Sequence, residues 1–309
     1  MTAPAGLLVI MGPTGSGKTA LALAAAERFN GEIISADSMQ VYRGLDIGTA
    51  KPTAAEQQAV PHHLVDILDF RDSLEVFTFV RLADEAIAAI RSRGRLPIIA
   101  GGTGFYLKAL LYGLDPLPAD ATLRADLDRR FDHEAGHREL IELMRREDPA
   151  DCERWHEHRR KLIRAYEVFL LTGKSITELQ TLHQPQLRYP TAAFRLDWER
   201  EALKSRIAAR TEIMLEQGWG EEAKRLIAAG LLDSPTARQA IGYPIIADYL
   251  AGRIDYAAMR ERIVTVTWQF ARRQLTWFRH QHPEAAVLPM PCTVESALAH
   301  FEQALQLLV

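Results

Sequence analysis

Cysteine is scarce in this chain of 309 residues: there are two, Cys152 and Cys292, far apart and outside any C-x-x-C spacing. That argues against a disulfide framework and a cysteine-based zinc site, and reads as two reduced structural thiols of a cytoplasmic protein. Long apolar runs are also lacking. None approaches the roughly 18 residues needed to span a bilayer, so no membrane partner is expected. The N-terminal MTAPAG has no basic residue ahead of its short apolar run, and a signal peptide is not expected. Nor does one sign of charge dominate. Lys and Arg number 37 against 40 Asp and Glu, for a formal net charge of −3. A nucleic-acid partner would therefore need a local basic patch, because the total supplies no general attraction. No internal repeat or low-complexity segment is present. What remains is an ordinary globular balance, 48% hydrophobic and 25% charged. At roughly 100–200 residues per domain, the length favours two units, or one core with an insertion.

The first 115 residues read as α/β. Short apolar runs at LLVIM (7–11), EIISAD (32–37), HLVDIL (63–68) and LPIIAGG (96–102) are expected as strands. Helical periodicity lies between them, in TALALAAAERF and in FVRLADEAIAAIRSRG (79–94), which Gly94 closes as a C-terminal cap. Continuous apolar strands alternating with helices predict a parallel sheet covered on both faces. LDPLPAD (114–120) is a proline-bearing linker, and residues 121–182 are charged and helical in period. HQPQLRYP (183–190) punctuates again, AAFRLDW (192–198) returns a strand to the sheet, and the remainder is mostly helical. The expected organisation is a core from residues 1–115 and 192–309 with a helical insertion domain at 116–191.

The strongest local signal is GPTGSGKT. Gly12, Gly17, Lys18 and Thr19 fit G-x-x-x-x-G-K-S/T with a strand before and a helix after. In such a loop, Gly12, Pro13, Thr14, Gly15, Ser16 and Gly17 curl the backbone so that N–H groups point at phosphate oxygens. The helix N-terminus adds a favourable dipole. Lys18 supplies positive charge, and the Thr19 hydroxyl can ligate Mg²⁺. The core is therefore expected to be P-loop NTPase-like. The loop specifies phosphate binding and leaves open which bond breaks.

Asp37 ends the second strand. In open α/β sheets ligands sit beyond the carboxyl ends of strands, which puts Asp37 near the phosphate loop. It can serve as a Mg²⁺ ligand, a general base or a helix N-cap. A phosphoryl-transferring enzyme commonly carries an Asp after a further apolar strand. Here that strand ends in GGTG, with Thr103 offering a hydroxyl; Asp66 in HLVDIL can stand in for that acid, as can Asp37 itself.

Four segments then occur in order: GPTGSGKT, ISADSMQVYRGLDIGTAKP (34–52), PHHLVDI (61–67) and PIIAGGTGFYLKALLYGL (97–114). Together with KLIRAYEVFLLTGKSITEL (161–179), ARQAIGY (237–243) and ARRQLTWFR (271–279), they resemble the bacterial tRNA dimethylallyltransferase (tRNA isopentenyltransferase) family over nearly the whole chain. The resemblance implies a transferase that binds dimethylallyl diphosphate in the loop. It would pass the dimethylallyl group to N6 of the adenosine immediately 3′ of the anticodon in tRNA and release diphosphate. It further implies Asp37 as base or orienting group for N6 and Arg210, in RIAARTEIML (206–215), as a contributor to the site. Thr103, Ser38, Met39 and Gln40 would be contacts near the target nucleotide. Arg238, Gln239 and Gly242 of ARQAIGY would approach the tRNA from one side. Mg²⁺ is the expected cofactor, tRNA the expected macromolecular partner, and a monomer the expected state. Where the family carries a basic residue after ARQAIGY, this chain has Pro244.

RRKLIRA (159–165) places Arg159, Arg160, Lys161 and Arg164 in six positions, with Arg160 and Arg164 on one helical face. Such a run is usually a solvated face. Within the resemblance Arg160, Lys161, Arg164 and also Arg124 become phosphate contacts, as do Arg272 and Arg273. The pair His62-His63 and the HEH at 156–158 have no convergent acid or thiol at metal-site spacing and are left structural. Three rivals stand beside this reading: a P-loop kinase of a small metabolite, a prenyltransferase of free adenylate, and a non-enzymatic tRNA-binding module. The basic insertion speaks against the second, and the loop together with Asp37 against the third.

Overall fold

The computed structural model describes residues 6–113, 117–181, 186–282 and 284–308. The chain forms two compact units, one of Met1–Tyr112 with Leu187–Val309, the other of Gly113–Gln186.

In the first unit the described residues form six strands: β1 (Leu7–Met11), β2 (Gly31–Ser35), β3 (His62–His63), β4 (Leu96–Gly101), β5 (Thr191–Trp198) and β6 (Ala286–Met290). They make one parallel sheet in the order β3-β2-β4-β1-β5-β6. Every residue of β1 is buried, as a strand covered on both faces requires. Leu7, Val9 and Met11 pack into a cluster with Ile34, Phe79 and Ile99. Leu8 and Ile10 pack into the opposite one with Leu21, Ala25 and Phe194. Each such side chain contributes about 1.5–3 kcal/mol. The helix Lys18–Phe29 lies on the second face through Leu21, Ala22, Ala25 and Ala26, and Asn30 ends it at φ 53°. β4 lies between β1 and β2, so the carboxyl ends of these three strands bring the loop after Met11, Asp37 and GGTG to one edge.

Two expectations need correction. HLVDIL is not a six-residue strand. Strand pairing to β2 covers only His62 and His63; Leu64 and Asp66 then adopt left-handed conformations at φ 62° and 57°, and Leu68 makes an isolated parallel bridge with Tyr42. The chain turns because Asp66 pairs with Lys51 and donates its N–H to the Gln40 carbonyl. β6 was not foreseen. Its first two residues are exposed and it contains Pro289, which an edge strand tolerates.

Glu32, at the opposite end of β2 from Asp37, is buried and receives hydrogen bonds from Arg93 (2.6 and 3.0 Å) and Arg95 (3.1 Å), with the His63 ring at 2.7 Å. Burial pushes its carboxyl up, but the Arg93 and His63 bonds and charges more than reverse this, to about 2. A depressed carboxyl stabilises the fold above its unfolded value and loses that contribution as pH falls. The stability of this unit will therefore drop between about pH 4.5 and 2. Glu32→Gln should cost about 2 kcal/mol at pH 7 and flatten that part of a pH series of urea unfolding curves.

The second unit is helical, with a core of Leu127, Phe131, Leu140, Met144, Leu162, Ile163 and Val168. Part of each expected linker, residues 114–116 and 183–185, lies outside the described residues. Asp148 is buried and caps the helix Pro149–Trp155 by accepting from the Asp151 N–H at 3.2 Å, while its Oδ2 has no partner among the described residues. Burial raises its carboxyl to about 6, and the nearby Asp151 charge adds to the rise against the Asp151 N–H bond, which lowers it. The unfolded chain ionises first, so this group destabilises the fold increasingly from about pH 4 to 6. Asp148→Asn keeps the cap and removes the charge. It should stabilise the helices Pro149–Trp155 and Ile176–Thr181 by about 1 kcal/mol above pH 6 and by little below pH 4, read by amide hydrogen exchange.

Candidate functional site

The phosphate loop joins β1 to the helix Lys18–Phe29. Gly15 and Gly17 stand at φ 78° and 92°, the latter as the N-cap, so that the backbone closes on itself before the helix starts. Residues remote in sequence hold the loop from outside. Arg206 Nε donates to the Gly15 carbonyl (3.1 Å), Trp198 Nε1 to the Ser16 carbonyl (3.0 Å), and the Gln274 Oε1 accepts from the Thr14 N–H (2.9 Å). None of these three was singled out from sequence. Their spacing from the loop, up to 260 residues, leaves no local signal.

A cavity of about 400 Å³ opens over the loop. It brings together Lys18, Thr19, Asp37, Thr103 and Arg210, which sequence alone left on four separate segments. Thr14, Ser38, Met39, Gln40, Gln239 and Arg273 also line it. Gly12, Pro13, Gly15, Ser16 and Gly17 do not, and neither do Arg238, Gly242 and Arg272. Ile33, Ala22, Ile207, Met214 and Phe270 supply apolar wall.

Lys18 Nζ donates to the Pro13 carbonyl at 2.8 Å. Burial pushes its ammonium down to about 8, against Asp37, which raises it, and with Arg210, which lowers it further. Arg210 is likewise pulled below its ordinary value by burial, with Asp37 opposing and Arg206 adding to the effect. Two cations crowded into a partly desolvated site favour an anionic ligand.

Asp37 stands two residues past the end of β2, after Ala36, and not in the strand itself. Its Oδ1 accepts from the backbone N–H of Met39 (2.8 Å) and Gln40 (3.3 Å), so it does cap a turn. The same carboxylate lines the cavity. Thr103 ties the next strand end to this turn. Its N–H donates to the Ala36 carbonyl (3.1 Å), and its Oγ1 accepts from the Ser38 N–H (3.0 Å). The Gln40 amide is taken up internally, accepting from Ser35 Oγ (3.0 Å) and donating to the carbonyls of Thr49 and Ala50 (3.3 and 3.1 Å).

Asp66 does not line the cavity; it and Asp46 hold Lys51, which also donates to the Tyr42 carbonyl at 2.8 Å. The loop that follows is gripped by Glu222, another residue not singled out from sequence. Its carboxylate accepts from the N–H groups of Asp46, Ile47 and Gly48 (2.8–3.0 Å) and from Tyr243 Oη (2.7 Å). Pro244 stands in the first turn of the helix Tyr243–Leu250, where no intrahelical N–H bond is lost.

Of the basic residues expected at a nucleic-acid surface, Arg272 and Arg238 are exposed, and Arg273 lies 5.9 Å from the Phe270 ring centroid. Gly242 stands at φ 96° against the Trp219 ring. Within the helical unit, Arg124 and Arg164 both bond the buried Glu167, at 3.1 and 2.7 Å, and Arg164 also donates to the Leu117 carbonyl. Lys161 sits 4.4 Å over the Trp155 ring, and Arg160 is largely exposed at 3.9 Å from Asp132. His62 Nδ1 lies 2.7 Å from the Val60 carbonyl, and among the described residues no cluster of three His, Cys, Asp or Glu forms a metal site.

A parallel sheet with a glycine-rich loop of phosphate-binding sequence after an inner strand, and an acid and two cations lining one cavity, defines the class as a P-loop protein. The sequence profile described as IPP transferase matches residues 40–281, and that described as isopentenyl transferase matches residues 5–66. The chain belongs to the IPP transferase family. A tRNA dimethylallyltransferase of Kocuria rhizophila is 43% identical over 274 residues, covering 88% of this chain and 86% of that protein. The crystal structure of a full-length tRNA isopentenylpyrophosphate transferase from Bacillus halodurans superposes with a TM-score of 0.73 at 35% identity and 98% coverage of both chains. A eukaryotic dimethylallyltransferase captured acting on tRNA gives 0.77 at 28% identity, over 92% of this chain and 73% of that one.

Proposed function

We propose that the protein transfers the dimethylallyl group of dimethylallyl diphosphate to N6 of the adenosine immediately 3′ of the anticodon in tRNA, releasing diphosphate. The observation that carries this reading is the shared cavity of the phosphate loop and Asp37, from which Asp66, the alternative acid for phosphoryl transfer, is absent. In this reading the loop serves a leaving group, and no phosphoryl group moves. The bond between the allylic carbon and the diphosphate oxygen breaks, with its electron pair going to the oxygen. The N6 lone pair forms the new carbon–nitrogen bond, and a proton passes from N6 to Asp37. An exocyclic amine is a poor nucleophile because its lone pair is delocalised into the ring, so orientation by a fixed carboxylate matters. Asp37 Oδ1 is committed to the turn, which leaves Oδ2 for the amine. Lys18, Arg210 and the loop amides stabilise the charge growing on the diphosphate.

Mg²⁺ fits the donor set in one way. Thr19 lines the cavity, and among the described residues no cluster of three acidic, His or Cys side chains forms there, which suits an ion delivered on the diphosphate oxygens. Bound there, it would neutralise leaving-group charge. On the tRNA side, Ser38, Met39, Gln40 and Thr103 would meet the flipped nucleotide, whose extrusion from an unpaired loop is cheap. Arg238, Gln239, Gly242, Arg272 and Arg273 would flank it, and the helical unit would grip the anticodon stem-loop. There Arg160 and Lys161 are the best phosphate donors; Arg124 and Arg164 serve by holding that surface through Glu167. A cytoplasmic location and a monomeric state belong to the same reading. No described helix is long and apolar enough to cross a membrane.

One assay tests this. The protein is incubated with Mg²⁺, radiolabelled dimethylallyl diphosphate and unmodified tRNA, beside matched reactions with AMP or ATP. Label in the tRNA, lost when the target adenosine is guanosine, is the expected result. Label in free nucleotide would make it an adenylate prenyltransferase. No label, with ATP consumed on a small metabolite, would return the loop to kinase chemistry.

A further inference from the structure

Gln274 is a buried amide whose two ends meet two different walls of the site. It projects from the helix Tyr256–Gln281, and its Oε1 accepts from the Thr14 N–H of the phosphate loop at 2.9 Å. Its Nε2 donates to the Gly102 carbonyl at 2.8 Å. The approach is close: a Cβ on Gly102 would lie 2.6 Å from Nε2, so the second glycine of GGTG makes room for this amide. From Gly102 the connection continues without a gap. Thr103 bonds the Ala36 carbonyl and the Ser38 N–H, the two residues that bracket Asp37. One side chain therefore joins the cradle of the leaving group to the turn that carries the proton acceptor.

That linkage has a chemical consequence. Displacement at the allylic carbon needs the amine on the side opposite the departing oxygen, and the diphosphate and Asp37 define those two sides. Their separation is an orientation variable, and a misplacement of about 1 Å can cost about 10²-fold in rate. The phosphate loop follows β1 and the Asp37 turn follows β2, two strands that β4 separates in the sheet. A bridge accepting from one and donating to the other keeps them in register. Gln274 and Thr14 both line the cavity, and the Thr14 N–H is held by the Gln274 amide, so the bridge stands beside the ligand space and takes one loop donor for itself.

We propose that Gln274 is a positioning residue of the transfer reaction, fixing the spacing between the phosphate loop and Asp37 through Thr14 and Gly102. This rests on the prenyl-transfer reading above. It predicts a separation of rate from binding. Gln274→Met fills the same space and removes both hydrogen bonds. Gln274→Glu keeps the acceptor for Thr14 but turns a donor toward Gly102 into a second acceptor, except when the carboxyl is protonated.

The experiment measures single-turnover transfer from dimethylallyl diphosphate to tRNA, inorganic diphosphate affinity by calorimetry, and thermal melting, for the parent and both variants. Gln274→Met is expected to slow transfer about 10²-fold with diphosphate affinity within about threefold of the parent. Gln274→Glu is expected to be comparably slow at pH 8.5 and to recover relative to the parent as pH falls to 6. An active parent with a Gln274→Met variant of near-parent rate overturns the assignment alone. Proportional loss of rate and diphosphate affinity also overturns it, by reducing Gln274 to a support of the phosphate loop. A slow Gln274→Glu whose deficit is the same at every pH does so too, since the restored donor would then bring nothing back. A parent that binds diphosphate but transfers nothing to tRNA overturns the prenyl-transfer reading, and this assignment falls with it. Should Gln274→Met melt well below the parent, the pH recovery of Gln274→Glu decides the question by itself.

Discussion

Asp37→Ala will slow prenyl transfer to tRNA by about 10²–10⁴-fold while changing affinity for the diphosphate donor by less than about threefold. The rate falls because the amine loses both its orienting acceptor and its proton acceptor. The affinity holds because the donor's charge is met elsewhere, at Lys18, Arg210 and the loop backbone. Asp37 opposes the burial-driven depression of both cations, so its removal leaves them more easily deprotonated. The change in local charge works the other way on a diphosphate, and the two effects offset. Asp37→Asn separates the two roles of the carboxylate. Asparagine can still accept from the Met39 and Gln40 N–H groups and preserve the turn. It cannot take the proton. An Asn variant as slow as the Ala variant assigns proton transfer to Asp37, whereas one that recovers most of the rate assigns orientation. A near-normal Ala variant in single-turnover assays would remove Asp37 from the mechanism.

Lys18→Ala is the second large effect, with an expected loss of about 10²–10³-fold in the transfer step and a weaker hold on inorganic diphosphate. Charge accumulates on the diphosphate oxygens as the allylic bond breaks, so the ammonium contributes more in the transition state than in the bound donor. Its place at the helix N-terminus adds to the loop dipole. Lys18→Arg should not restore the rate. Nζ reaches the Pro13 carbonyl at 2.8 Å inside a tight loop, where a point donor fits and a planar fork does not. Calorimetry with diphosphate and single-turnover transfer, run on the same variants, separate the two losses. Equal losses in binding and rate would show that Lys18 acts on the ground state alone.

The same residues show how far the sequence could be read. The phosphate loop was legible because its chemistry is local: eight consecutive residues, with an apolar strand before and a helix after, specify the turn. Asp37 was legible through a rule of position, since a strand of a parallel sheet ends where ligands bind. β6 was not, because an exposed edge strand holding Pro289 has neither the apolar continuity nor the alternation that marks a strand. HLVDIL misled for the opposite reason. Its apolar residues are real, but the ion pair between Lys51 and Asp66 accompanies a bend just after His63, and only an isolated bridge at Leu68 follows. In the helical unit the basic run was visible, whereas its division of labour was not. Arg164 answers Glu167 three positions on, and Arg124 answers the same carboxylate from 43 positions away, so both are drawn toward a buried acid.

By itself, then, the sequence determined an α/β core, a phosphate loop of defined chemistry, an acid near it and a basic helical insertion. The tertiary structure decided which side chains meet. Gln274, Trp198 and Arg206 grip the phosphate loop across 260, 182 and 191 residues, and Glu222 grips residues 46–48 across more than 170. No hydrophobic period or local motif encodes such pairs. They arise when helices and strand β5 of the C-terminal half pack against strand ends from the N-terminal half, and buried N–H and C=O groups must find partners there or leave the fold less stable.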